Sequence, residues 1–528
     1  MYWIKNIFIL FFLFILGFFV YKFNNINFFH DYFHIEKYSN INLEKSSNTF
    51  DTKNIVMVKT DTFKILIDKN TGNIVEANLL KYKKNINESD PLCLLKSKND
   101  FLYQANIGIL GLEKHNFYYD KKYNKKNLFE LTENNNNLLV NMKWKSNDGI
   151  SYIKTFSFER GKHFIKIKYE IINNSRKKLD ISMYGNLNQT INIEKENKNY
   201  IFGMKTFRGA AYSSNKEKYS KVNFYDIKEK NYISDYSNQN KWIAMVQPYF
   251  VSAWIPDNSL KNKMFIDKIN FRDVSIGYIT EKFKINSYEK KDFFSKLWLG
   301  PKIKKEMLEV SDSLYFTIDY GFLWFLSQPL FELLCYLHSF LKNWGISIIA
   351  ITCIIKLIMY PISKIQYYQI AKMKEIQSEI NIIKEKYKDN KNILNKEIIN
   401  LYRKNNINPI GSFLPLIIQM PIFLSLYYVI IESVELRHSP FILWINDLSD
   451  KDPFFILPIF MGITTFFLQQ YSQDSDINEG LHKKIINIMP LFFTIFFLWF
   501  PSGLVLYYIV SNILTIIQQK IVYNKFKI

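Results

Sequence analysis

The sequence predicts a multi-domain membrane protein with an N-terminal anchor helix, a large antiparallel β-sandwich outside the membrane, and an α-helical core of five further spans. Three observations carry this expectation. Hydrophobic residues make up 48% of the 528, yet they concentrate at the start and towards the end of the chain. From about residue 55 to 312 the apolar residues alternate with period two, the mark of half-buried strands. From 345 onward come apolar blocks long enough to enter a bilayer.

The formal net charge is +21. A basic balance can signal nucleic acid, anionic lipid or ribosome contact. Here lysine is inflated together with Asn, Ile, Phe and Tyr, so only local charge clusters are informative, and no direct nucleic-acid contact is expected. Cys93, Cys335 and Cys353 are the three cysteines. They form no C-x-x-C spacing, which excludes a disulfide framework and a cysteine metal site. Neither a metal nor another cofactor is expected.

The anchor is expected at residues 1–22, "MYWIKNIFILFFLFILGFFVYK". Its apolar run is flanked by Lys5 and Lys22 and ends in Phe18, Phe19, Val20 and Tyr21, not in the small residues of a cleavage site. An Asn- and Ser-rich linker (23–50) leads into the sandwich, giving a domain expected over 23–318. "TFKILID" (62–68) alternates and meets the turn "KNTG". Residues 152–171 are two alternating runs joined at Arg160 and Gly161, a hairpin signal.

Spans are expected near 345–364, 411–431, 454–470, 487–500 and 503–519, within a core domain of 344–528. The last but one is short and holds Pro490, which implies local thinning of the bilayer. Between the first two of these spans, 364–409 reads as a charged helical hairpin. Ile370, Met373, Ile376, Ile380, Ile383 and Tyr387 form one stripe, and Leu394, Ile398 and Leu401 the other. The hairpin carries ten cations, among them Lys372, Lys374, Lys384 and Lys386, whereas the 432–453 loop carries Arg437 and Lys451. The positive-inside rule then puts the hairpin, the 471–486 loop and both termini in the cytoplasm, and the sandwich outside. Residues 319–343 are apolar but interrupted by Pro329, Glu332 and His338. A further span there would invert the hairpin, so an amphipathic helix on the outer membrane surface is expected.

Lys356, in "CIIKLIMYP" (353–361), is the one formally charged residue inside the spans. A cation at mid-bilayer costs roughly 2.5–3.5 kcal/mol on insertion scales. With no carboxylate in any span, this lysine needs water or headgroups, which argues for a hydrated cavity within the bundle. Thr352 shares its helix face, four residues away. Gln419 lies before Pro421; Thr464, Thr465 and Gln469 lie in the span near 454–470; Tyr508, Ser511 and Asn512 share a face of the last. Intramembrane protease chemistry and a carboxylate or His proton relay lack their residues here, and no nucleotide-binding G-x-x-x-x-G-K-[ST] loop is present. An enzyme is not expected.

"NWGISIIAITCIIKLIMYPISKIQ" (343–366), "NPIGSFLPLIIQMPIFLSLYYVI" (408–430), "SPFILWINDLSDKDPFFILPIFMGIT" (439–464) and "FFLWFPSGLVLYYIVSNILTIIQQ" (496–519) resemble the YidC/Oxa/Alb family of membrane protein insertases. "FRGAAYS" (207–213) and "WIAMVQPYFVSAWIP" (242–256) resemble the periplasmic domain of its Gram-negative form. The resemblance implies a periplasmic β-supersandwich, a bacterial inner-membrane location, and a hydrophilic groove open to cytoplasm and lipid. Nascent membrane proteins, the Sec translocon, the ribosome and the phospholipid bilayer are the implied partners. Lys356 stands where the family usually carries a groove arginine; it keeps the charge but not the bidentate fork. Thr352, Gln419, Thr464, Tyr507, Tyr508, Ser511 and Asn512 are the expected groove lining. The chain ends in "YNKFKI" rather than a long basic tail, so basic loops are expected to carry ribosome contact. The competing reading, a secondary transporter or channel with an anion cavity at Lys356, predicts inverted repeats, and the sequence shows none. A purely structural assembly factor is a third reading.

Overall fold

The structure, a computed structural model, describes residues 54–98, 101–111, 117–121, 126–191, 206–224, 227, 231–270, 272–387, 390–407, 414–472 and 481–526. The expected anchor (1–22) and linker (23–50) lie outside the described residues.

Strands between Ile55 and Pro301 form two sheets, one of eleven strands and one of nine. The alternation read from the sequence has its physical counterpart in burial. In Phe63–Asp68 every second residue is buried, beginning with Phe63. The hairpin expected over 152–171 is present: Ile150–Glu159 pairs antiparallel with Phe164–Asn173, with Phe158 opposite Ile165. One pairing departs from the antiparallel expectation, since Ile55–Lys59 runs parallel to Leu128–Glu130. Between the sheets lies a core that includes Ile65, Ile67, Phe156, Phe158, Ile167 and Leu297. The "KNTG" turn closes onto it. Gly72 adopts φ +67°, and a Cβ there would meet Trp144 at 2.7 Å. The neighbouring buried Lys154 donates to the Thr71 and Ile107 carbonyls at 2.6 and 2.9 Å, so its charge is compensated by backbone dipoles.

After the sandwich come α1 (Lys304–Met307), α2 (Trp324–Leu341), α3 (Trp344–Glu375), α4 (Gln377–Lys386), α5 (Lys391–Lys404), α6 (Leu414–Glu432), α7 (Ile456–Ser472), α8 (Leu481–Phe497) and α9 (Ser502–Phe526). By length and composition, α3 and α9 can each cross a bilayer; the apolar parts of α6, α7 and α8 are shorter. Asn343 caps α3, its side chain accepting from Ile346 N at 3.0 Å. Asp452 caps α7, accepting from Leu457 N at 2.7 Å. Leu334, Ile351, Leu426, Met461 and Leu504 belong to one apolar core that joins α2, α3, α6, α7 and α9.

Several expected boundaries move. α3 does not stop at 364 but continues to Glu375, because nothing in "KIQYYQIAKMKE" breaks a helix once it has left the apolar run. The hairpin is therefore the end of α3 followed by α4 and α5. Its stripes meet as expected: Ile376, Ile380, Ile398 and Leu401 form a small core, with Met373, Ile383 and Leu394 packed against it. α8 begins at Leu481, so Lys483 and Lys484 belong to a helix rather than to a loop. α9 continues through Lys520 and Lys525.

The sandwich and the bundle are joined by buried charge. Lys302, just past the last strand, pairs with Glu432 at the end of α6 at 2.9 Å, and both side chains are almost wholly excluded from solvent. Val434 of the following loop enters the sandwich core. Arg437 donates to the carbonyls of Lys83 and Lys84, both at 3.0 Å, and lies over the rings of Tyr249 and Phe250.

Candidate functional site

Lys356 lies twelve residues into α3, about 18 Å along its axis at 1.5 Å per residue. It is 7% exposed. Its ammonium donates to Thr515 Oγ1 on α9 at 2.9 Å, and among the described residues it forms no ion pair. Thr515 in turn donates to the Ser511 carbonyl at 2.7 Å. One turn further along α9, Gln518 Nε2 donates to the Lys356 carbonyl at 3.1 Å. The lysine is thus held against α9 through both its side chain and its backbone.

The neighbouring helices extend this polar layer. Gln419 on α6 donates to Ser511 Oγ at 2.8 Å. Asn512 donates to Thr464 and Thr465 on α7 at 3.2 and 3.0 Å. A single face of α9 therefore carries Ser511, Asn512, Thr515 and Gln518 towards α3, α6 and α7. Such contacts in membranes contribute modestly, about 0.6–2 kcal/mol each. Their arrangement matters more than their strength, because it gathers hydroxyls and amides around an unpaired cation.

Not every expected lining residue presents a polar group to this layer. Thr352 is fully buried, and its hydroxyl donates to the Ile348 carbonyl of its own helix at 2.6 Å. Tyr507 packs its ring in the apolar core, while its side chain hydrogen-bonds Gln419 of this layer. Tyr508 packs its ring against Phe423 and Phe497. Thr515 and Gln518 are missing from the expected lining. The signal for them was present: they continue the Tyr508–Ser511 stripe at the next helical steps.

On the hairpin, Lys374 donates to the Tyr471 carbonyl at the end of α7 at 3.0 Å and lies over the Tyr523 ring of α9. Lys372 lies over Tyr368 and Lys386 over Tyr387. Lys384 is on α4 with Lys386. Lys374 thus ties the hairpin to the bundle.

A β-sandwich docked on a bundle of apolar helices, with a cationic polar layer inside that bundle, defines a membrane protein with an interior hydrophilic site. The family description "60Kd inner membrane protein" matches residues 336–528, and "YidC periplasmic domain" matches residues 55–333. Proteins named membrane protein insertase YidC are similar along nearly the whole chain. The one from Buchnera aphidicola subsp. Baizongia pistaciae (strain Bp) is 45% identical, covering 92% of this chain and 92% of the relative. That of Wigglesworthia glossinidia brevipalpis is 44% identical, covering 90% and 89%. A solved structure titled "Active YidC insertase crystal structure with the first transmembrane domain resolved" is 17% identical, with TM-score 0.38, covering 89% of this chain and 92% of that one. The chain belongs to the YidC family, with a β-rich periplasmic domain followed by a helical membrane region.

Proposed function

We infer that the chain is a membrane protein insertase and chaperone, placing nascent integral membrane proteins into the bacterial inner membrane alone or beside the Sec translocon. The observation that carries the groove reading is the Lys356–Thr515 contact within the polar layer of α3, α6, α7 and α9. Among the described residues it leaves a cation inside an apolar bundle with a neutral acceptor. An acidic or polar flank of an incoming segment replaces Thr515 as the partner of Lys356, an exchange strengthened by the partly desolvated surroundings. Gln419, Ser511, Asn512 and Thr464 solvate that flank. The apolar part of the segment then leaves into lipid, driven by roughly 25 cal/mol per Å² of apolar surface removed from water. No covalent step enters this cycle.

In this reading α3, α6, α7, α8 and α9 are the five spans, residues 1–22 the anchor, and both termini are cytoplasmic. The sandwich (23–318) is periplasmic and α2, within 319–343, lies along the outer membrane surface. The hairpin lysines Lys372, Lys374, Lys384 and Lys386 face the cytoplasm, where they meet the nascent chain and, with the other basic loops, the ribosome. The test is reconstitution of the purified chain into liposomes with a small substrate that has an acidic translocated tail. Protease-protected tail is the expected product; a chain that leaves the tail fully accessible is not an insertase by itself.

A further inference from the structure

The loop between α6 and α7 is held rigidly yet presents large apolar side chains outward. Phe441 N donates to the Ile445 carbonyl at 3.0 Å, and Asn343 at the start of α3 donates to the Phe441 carbonyl at 3.1 Å. The start of α9 is bound to the same loop, Gly503 N donating to the Leu448 carbonyl at 2.9 Å and Ser502 N to the Asp450 carbonyl at 2.7 Å. Gly345 admits the loop, since a Cβ there would stand 2.0 Å from the Phe441 ring. From this fixed frame Leu443 projects 82% exposed, Phe454 64% and Ile442 52%. Leu443 and Phe455 also adopt left-handed backbone, with φ +54° and +57°. That conformation is disfavoured for a residue with a side chain. Among the described residues nothing covers these side chains.

The exposed apolar residues form a collar. Phe340, Leu341 and Ile346 at the α2–α3 junction are also exposed, and the Asn343–Phe441 contact holds this junction beside Ile442 and Leu443. Trp444 links the tip to the other side, its indole donating to Asp452 at 3.0 Å next to Phe454 and Phe455. The tip, "SPFILWIN" (439–446), carries no formal charge. It lies at the bundle end where α3, α7 and α9 begin and α6 finishes, continuous with the exposed Ile459, Phe460 and Ile463 of α7.

We propose that this collar, formed by Ile442, Leu443, Phe454 and Phe455 with the α2–α3 junction, seats in the outer leaflet at the boundary between headgroups and acyl chains. An uncharged apolar tip with indoles close behind it suits that zone rather than water or an anionic headgroup surface. Its consequence concerns depth. α7 and α8 have 17 residues each, which at 1.5 Å per residue makes them about 25 Å long, short of a hydrocarbon core of about 30 Å. A collar fixed to their outer ends draws the acyl boundary down to them, so the thinning falls on the outer side.

The proposal rests on the bundle spanning a bilayer, and its test separates the two. Cys93, Cys335 and Cys353 are replaced by serine, and single cysteines are introduced as Leu443→Cys, Phe454→Cys, Ile358→Cys on α3 and Asn147→Cys on the sandwich. Each carries a bimane fluorophore in nanodiscs of phosphatidylethanolamine and phosphatidylglycerol. Quenching by lipid nitroxides at the upper acyl chain is compared with quenching by aqueous iodide. The 443 and 454 labels should be quenched severalfold more by the lipid nitroxide than the 147 label, and severalfold less by iodide. Iodide quenching at 443 and 454 equal to that at 147 overturns the collar. Protection from both quenchers also overturns it, because a protein then covers the loop. If the 358 label is not quenched by lipid, the spanning reading itself fails.

Discussion

At the scale of single residues, Lys356 and Thr515 separate stability from function. Thr515→Val leaves a buried ammonium without its acceptor and should cost about 1–3 kcal/mol in unfolding free energy. The pair Lys356→Met with Thr515→Val removes both groups and should recover most of that loss, while insertion of a substrate with an acidic tail stays impaired. Thermal unfolding in detergent reads the first effect and protease protection the second; equal recovery of both would make the pair merely structural. Lys356 was legible in the sequence because a lone cation in an apolar run is conspicuous. Thr515 continues the Tyr508–Ser511 stripe of α9, but that it is the partner of Lys356 emerges only when the helices are brought together. Thr352 shows the converse: a hydroxyl on the right helix whose own-helix hydrogen bond keeps it from the layer.

At the scale of elements, the loop after α6 carries its own titration. Burial, with a smaller contribution from the nearby Glu306 carboxylate, raises the Glu435 carboxyl to about 7. One carboxyl oxygen of Glu435 has no hydrogen-bond partner among the described residues. Its folded pKa therefore lies above its unfolded value of 4.5. The native state binds the proton more tightly, so the stability contributed is full below 4.5 and is lost as pH rises towards 7. The melting temperature should fall between pH 5 and pH 8, and Glu435→Gln should flatten that fall; a variant whose profile parallels the wild type would place the titration elsewhere. Gly345 is the other sensitive point, because Gly345→Ala drives a methyl into the Phe441 ring and should loosen the loop from α3. Element type was legible wherever periodicity was sustained, as in the 152–171 hairpin and the Met373–Ile383 stripe. Element ends were not, because α3 and α9 leave the apolar run without any residue that stops a helix.

At the scale of the whole molecule, the two domains are joined by groups far apart in the chain. Lys302 and Glu432 are 130 residues apart in sequence, and no local pattern announces their pairing. Glu432→Gln strands a buried lysine and should cost roughly 3–5 kcal/mol, whereas Lys302→Met with Glu432→Leu should be close to neutral. Chemical denaturation of the three proteins checks this ordering, and an unaffected Glu432→Gln would show that the joint is wetter than its geometry implies. The division into sandwich and bundle was readable from hydropathy alone, since it depends on composition over long windows. The docking between them depends on shape and on charges that meet only in three dimensions. The account as a whole turns on the cation inside the bundle. The most direct measurement is insertion of a substrate with an acidic translocated tail in cells depleted of their own insertase, supplied with this chain carrying Lys356, Lys356→Arg, Lys356→Ala or Lys356→Glu. The account predicts insertion with Lys and Arg and its loss with Ala and Glu; normal insertion with Ala and Glu would contradict it.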